Sequence, residues 1–201
     1  MTLARPNALL IETRVILSLC DYSGAWSQPY LEAGYDVRRV DLKTTGDVRL
    51  LEYPGPVHGI LASPPCTHFA GSGARWWEGK PDSLLVEALS VVDACLRLVV
   101  VCDPAWWALE NPIGRLNRWL GNPAMYFDPC DYGGYADDPD SEGYTKRTAL
   151  WGRFQRPAIT PVPPHLGSMM HLRYGGRSER TKTLRSVTPS GFARAFMEAN
   201  P

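Results

Sequence analysis

Two short apolar runs each end in a reactive side chain and a proline turn. Gly59-Ile60-Leu61-Ala62 leads into Ser63-Pro64-Pro65-Cys66, and Trp106-Trp107-Ala108-Leu109 leads into Glu110-Asn111-Pro112. Apolar runs this short, bounded by proline, read as buried strands. Between them lies a helical pattern over residues 81–98, with Leu85, Leu89, Val92 and Leu96 recurring every three or four positions. Buried strands that alternate with helices fold as an α/β sheet with helices on both faces. Such a sheet opens its crevice beyond the carboxyl ends of the strands, where the chain order reverses. Cys66 and Glu110 are therefore expected at the mouth of one crevice.

The same pattern extends along the chain. Val15-Ile16-Leu17-Ser18-Leu19 reads as a first buried strand, followed by the turn Asp21-Tyr22-Ser23-Gly24. Residues 26–33 form a short helix stopped by Gly34, and Val37-Arg38-Arg39-Val40 alternates as a second strand ending at Asp41. Met125-Tyr126-Phe127 and Thr148-Ala149-Leu150-Trp151 are two further strands. A closing helix spans residues 189–198, with Thr188 as its N-cap and Pro189 at its first position. Asp21, Asp41, Asp47, Cys66 and Glu110 all fall at strand ends or in the loops just past them. Residues 69–80 form a flexible loop rich in glycine and tryptophan. The whole, residues 1–201, reads as one domain, with residues 1–13 as an extension and residues 128–185 as an irregular region.

Composition narrows the class. Hydrophobic residues make up 44% and charged residues 21%, ordinary for a soluble globular chain. The longest apolar stretch, residues 84–101, is broken by Glu87, Asp93 and Arg97, so no membrane span is expected. Residues 1–6 lack a signal-peptide core, and the protein is read as intracellular, in the cytoplasm. The five cysteines form no Cys-x-x-Cys pair and share no ligand spacing with the four histidines, so no metal site is expected. Cys20, Cys95 and Cys102 read as core residues, and Cys130 as a loop residue without a role. The 21 basic and 21 acidic residues cancel, against strong non-specific nucleic-acid binding. Charge is nonetheless segregated: residues 128–142 hold six acids and no base, and residues 173–185 hold five bases and one acid.

Taken together, the motifs resemble those of the C5-cytosine DNA methyltransferases, in family order from about Val15 to Asn200, and in style the small phage-encoded members. The resemblance implies a Rossmann-like S-adenosylmethionine-dependent methyltransferase sheet. It implies a cofactor turn at Asp21, Tyr22, Ser23 and Gly24. Asp41 would accept from the ribose, Asp47 would meet the adenine amine, and Pro64 would border the cofactor. Ser63-Pro64-Pro65-Cys66 is similar to the catalytic loop, and Glu110-Asn111-Pro112 to the Glu-Asn-Val motif. Lys146-Arg147 stands where the family has its Gln-x-Arg-x-Arg segment. Arg185 to Pro189 resembles the start of the last motif.

Cytosine C5 is a poor nucleophile. Adding a thiolate at C6 makes it enamine-like, so the resemblance implies Cys66 as nucleophile. Glu110 would hold N3 and the exocyclic amine, which asks for a raised pKa. Arg147 would be the fixed cation near O2. Thr67, Asn111, Pro112, Lys146, Arg177 and Arg180 complete the implied substrate contacts. The partner is DNA with its target base flipped or already single-stranded, and Trp76 and Trp77, hinged by Gly71 and Gly73, would close over it.

The chain departs from the family in three places. Thr67-His68 replaces the glutamine that usually follows the cysteine. The Gln-x-Arg-x-Arg segment is reduced. Fewer than about forty residues separate Arg147 from the final motif, too few for a recognition domain with its own core. A short or relaxed sequence context is expected, read by residues 133–143 or 173–185. The acids repel phosphate and are expected to face away from DNA. Two alternatives remain open on sequence alone: the same chemistry on a free cytidine nucleotide or RNA, and a catalytically drifted protein that binds cofactor or DNA.

Overall fold

A computed structural model describes residues 14–168 and 185–201. Arg177 and Arg180 lie outside the described residues. The described residues form a six-stranded sheet in the order β2-β1-β3-β4-β6-β5. The strands are β1 (Val15–Leu19), β2 (Asp36–Val40), β3 (Gly59–Ala62), β4 (Trp106–Pro112), β5 (Met125–Phe127) and β6 (Thr148–Arg153). β1 runs parallel to β2 and β3, and β3 parallel to β4. β6 is antiparallel to both β4 and β5. The order reverses between β1 and β3, which places the crevice at their carboxyl ends. This is the Rossmann-like α/β sheet expected from the strand and helix pattern.

Side-chain alternation sorts the sheet into two faces. Leu17, Leu19, Ile60, Ala62, Leu109, Ala149 and Trp151 share one buried cluster with Val92, Cys95 and Leu98 of α2 (Asp82–Cys102). Ile16, Leu61, Trp106, Ala108 and Leu150 point the other way. There they meet Tyr30 of α1 (Gln28–Glu32) and Phe192 and Phe196 of the C-terminal helix, Ser190–Ala199. Phe192 stacks on Phe127 with ring centroids 3.8 Å apart. Helices thus cover both faces, as the sequence pattern requires.

Three elements differ from expectation. β4 continues through Glu110 to Pro112, because β6 pairs with it as far as Pro112↔Thr148. Glu110 therefore projects from a rigid strand rather than a turn. A short helix, α3 (Asn117–Leu120), follows β4, and the C-terminal helix is accordingly α4. Thr188 does not cap α4. The buried Glu142 does so from across the chain: its Oε1 accepts from Ser190 N at 2.8 Å, Ser190 Oγ at 2.9 Å and Gly191 N at 3.4 Å. A carboxylate at a helix N-terminus satisfies orphan N–H groups and meets the positive end of the helix dipole.

The acidic segment is clamped in the same way rather than being simply solvated. Asp137 forms a bidentate pair with Arg194 of α4, both contacts at 2.7 Å. Asp131 accepts from Asp128 N, and Asp128 accepts from Lys146 N. Cys130 is buried beneath these turns rather than lying in an open loop. Among the described residues, no helix is long and apolar enough to cross a membrane.

Candidate active site

The turn after β1 is organised by one carboxylate. Asp21 is 6% exposed, and both of its oxygens are taken. Oδ2 accepts from Ser18 Oγ and Ser27 Oγ, each at 3.0 Å. Oδ1 accepts from Gly24 N at 2.9 Å and Ser23 Oγ at 3.2 Å. Asp21 thus shapes the turn and has little capacity left for a ligand. Gly24 has φ +70°, a backbone conformation that favours glycine, and a Cβ there would have to displace the Arg39 guanidinium. Tyr22 and Ser23 face solvent.

Asp41 ends β2. Its Oδ1 accepts from Lys43 N at 2.9 Å, and Oδ2 has no partner among the described residues. Asp47 is engaged by Arg49: the guanidinium reaches Oδ2 at 2.6 Å, and Asp47 Oδ1 accepts from Arg49 N at 3.0 Å. These hydrogen bonds hold the Asp47 carboxyl below its usual range. Sequence reasoning missed this local competition, although an Asp-x-Arg spacing carries the signal.

The loop after β3 and the end of β4 are fastened together at three points. Asn111 is fully buried, and its Nδ2 donates to Pro64 O at 2.9 Å. Ala70 and Gly114 form an isolated antiparallel bridge, and Arg115 Nε donates to His68 O at 2.8 Å. Gly114 permits the closest approach, because a Cβ there would collide with Phe69 O. Asn111 therefore positions the proline turn. Pro112 ends the pairing with β6.

That fastening brings Cys66 and Glu110 into one electrostatic neighbourhood. Burial pushes the Cys66 thiol up, the Glu110 charge pushes it further, and Lys146 and Arg185 pull it down. Glu110 is raised by burial first, lowered by Lys146, raised by Asp21 and lowered by Ser63. The Ser63 hydroxyl thus lies close to the Glu110 carboxylate, yet outside ordinary hydrogen-bond geometry. Asp21, in the first turn, is thus one of the charges that raise Glu110.

Lys146, not Arg147, is the cation on this side of the sheet. Glu110 pairs with Leu150 in register, so Thr148 and Lys146 fall on the face of Glu110 and Arg147 on the other. Lys146 lines a narrow crevice with Glu110, Phe127, Thr148, Thr188, Pro189 and Phe192, and its Nζ donates to Val187 O at 3.2 Å. Arg147 instead pairs with Asp128 at 3.1 Å and lies over the Tyr126 ring. Thr67 is exposed beside Cys66, and its carbonyl accepts from Lys80 Nζ at 3.2 Å. Among the described residues, no group of three or more His, Cys, Asp or Glu could hold a metal ion.

Fold and site together define a Rossmann-like α/β protein with Cys66 just past β3 and Glu110 near the end of β4, at the carboxyl ends of adjacent parallel strands. Among solved structures, the chain is similar to an E. coli prophage-encoded protein assigned as a DNA modification methyltransferase. The identity is 18% and the TM-score 0.48, over 75% of this chain and 53% of that one. This chain thus spans about half the length of that protein. No protein-family model and no curated protein matches.

Proposed function

We propose that the chain is a DNA cytosine C5-methyltransferase that uses S-adenosylmethionine. The observation that carries this reading is the placement of Cys66 just past β3 and Glu110 near the end of β4, two adjacent parallel strands fastened by the Asn111 bond to Pro64 O, with the Glu110 charge acting on the Cys66 thiol.

The residues present fit the cofactor. The turn ordered by Asp21 leaves Tyr22 and Ser23 exposed, and the Asp41 oxygen without a partner among the described residues can accept from a ribose hydroxyl. Leu42 and Leu50, 73% and 80% exposed, offer apolar surface beside Asp41 and Asp47. Asp47 would share its carboxylate between Arg49 and the adenine amine. When bound, the cofactor supplies an electrophilic methyl group.

The chain's own residues act on the base. The Cys66 thiol loses its proton to solvent and its sulfur bonds to C6 of cytosine, while the C5–C6 π pair shifts to C4–C5 and the C4–N3 pair to N3. Charge then builds toward N3 and O2. Once C5 carries the methyl group, loss of the C5 proton to solvent re-forms the C5–C6 double bond and expels the Cys66 thiolate. Glu110, raised by burial, keeps its proton to higher pH than a free carboxyl and can give N3 a hydrogen bond. Lys146 takes the role that Arg147 has in the sequence reading: its ammonium favours both the Cys66 thiolate and charge on the ring. A base stacked in a duplex cannot reach Cys66, so the target is extruded or already unpaired.

Methyl-labelled S-adenosylmethionine incubated with cytosine-containing DNA tests this reading. Digestion should release labelled 5-methylcytosine, and Cys66→Ala should release none. Label confined to deoxycytidine monophosphate or RNA would change the substrate. Undiminished transfer by Cys66→Ala, or transfer to no substrate, ends the reading.

A further inference from the structure

We propose that the wall beside Cys66 is a stacking platform for an unpaired stretch of nucleic acid flanking the target base; this deepens the methyltransferase reading and rests on it. The wall is the loop after β3 joined to the turn after β4. It exposes large apolar side chains: Trp76 is 51% exposed, Ile113 49% and Trp119 43%. Half-exposed tryptophans clustered at a site mark a recognition surface.

Cations accompany these rings. Arg75 lies 5.0 Å over Trp76, and Arg115 lies 4.7 Å over Trp77. An open hollow is bordered by Arg75, Trp76, Gly79 and Lys80. Lys80 donates to the carbonyl of Thr67, the residue after the nucleophile, so the hollow adjoins the reacting centre. Residues 67–80 and 113–120 together carry Arg75, Lys80, Arg115 and Arg118 against one acid, Glu78. Ring faces beside fixed cations suit a base that stacks and a phosphate that pairs. An apolar protein or lipid partner would leave those cations unmatched.

The same features favour a single strand over a duplex. Bases in a duplex already stack on their neighbours, and their faces are closed to Trp76. An unpaired strand offers a face at every nucleotide. The wall is also preorganised. The Ala70–Gly114 bridge and the Arg115 bond to His68 O hold the two segments together, so less ordering is required on binding.

Fluorescence anisotropy with a labelled cytosine oligonucleotide of roughly 12 nucleotides tests the platform. The full chain is used without methyl donor, so the readout does not depend on catalysis. The single strand should bind about tenfold tighter than the same sequence in duplex and should quench tryptophan fluorescence. Trp76→Ala should weaken single-strand binding about tenfold, and Trp76→Phe should keep most of it. Lys80→Gln should lower the salt slope by about one. Wild-type affinity in Trp76→Ala overturns the proposal, as does equal binding of the duplex. Binding of anionic phospholipid vesicles in place of DNA, with the same dependence on Trp76, also overturns it. Strand binding without 5-methylcytosine formation would sink the activity and leave the platform; 5-methylcytosine formation with Trp76-independent binding would do the reverse.

Discussion

Asn111 is the side chain whose loss most directly tests how the crevice is assembled. Its amide is wholly buried and donates to Pro64 O at 2.9 Å. Asn111→Ala leaves that carbonyl unpaired in the interior, which costs about 1–3 kcal/mol. The same change removes the Asn111 Oδ1, which has no hydrogen-bond partner among the described residues, and this offsets part of the loss. A net cost of about 1–2 kcal/mol lowers the melting temperature by roughly 2–8 °C for a chain of this size. Asn111→Asp sets a carboxylate against the Pro64 carbonyl. It leaves an uncompensated buried charge and should cost about 3–5 kcal/mol. Thermal melts monitored by circular dichroism read both values, and alkylation of Cys66 by iodoacetamide reads the loop. Asp should be worse than Ala, and both should change the Cys66 reaction rate. An Asn111→Asp protein that melts within about 1 °C of the parent would refute the idea that this bond fastens the proline turn to β4.

Three further outcomes follow from the geometry. Glu110 has a raised pKa in the folded chain, so its ionised form destabilises the fold at neutral pH, and the penalty disappears as pH falls through the folded pKa. Glu110→Gln should therefore raise the melting temperature at pH 7, with a gain that shrinks toward acid, while lowering activity by about 10²–10⁴-fold; melts across pH and rate measurements check the two halves. Lys146→Met should move the pH profile of Cys66 alkylation upward, because it removes a charge that favours the thiolate, whereas Arg147→Met, which breaks the pair with Asp128, should leave that profile in place. Gly114→Ala should cost about 1–3 kcal/mol by pushing the turn off Phe69 O, read in denaturant titrations, and should slow adduct formation as the two loops part.

Much of the fold was legible because strands and helices carry distinct periods. β1 and β5 match their sequence boundaries, and the alternation of Leu17 and Leu19 against Ile16 is a direct print of the two faces. The stop of α1 was equally plain, since Gly34 takes φ +88° just past the helix. Long-range pairing was not legible. That β6 runs antiparallel beside β4 decides which of Lys146 and Arg147 shares a face with Glu110, and nothing local to those residues states it. A one-residue change of register exchanges the two roles. Glu142 read as one acid among six, because its partners at Ser190 and Gly191 lie almost fifty positions away. The Asp47–Arg49 pair is local instead: Arg49 lies two residues on and its hydrogen bonds engage both Asp47 oxygens.

Mass mapping of a covalent adduct tests the central claim most directly. The full chain is incubated with S-adenosylmethionine and an oligonucleotide carrying 5-fluorocytosine, digested and sequenced by tandem mass spectrometry. A nucleotide attached to the sulfur of Cys66, formed far more slowly in Glu110→Gln, is the predicted result. Attachment to Cys20 or Cys130, or no attachment while DNA is bound, would contradict a shared crevice for the thiol and the carboxyl.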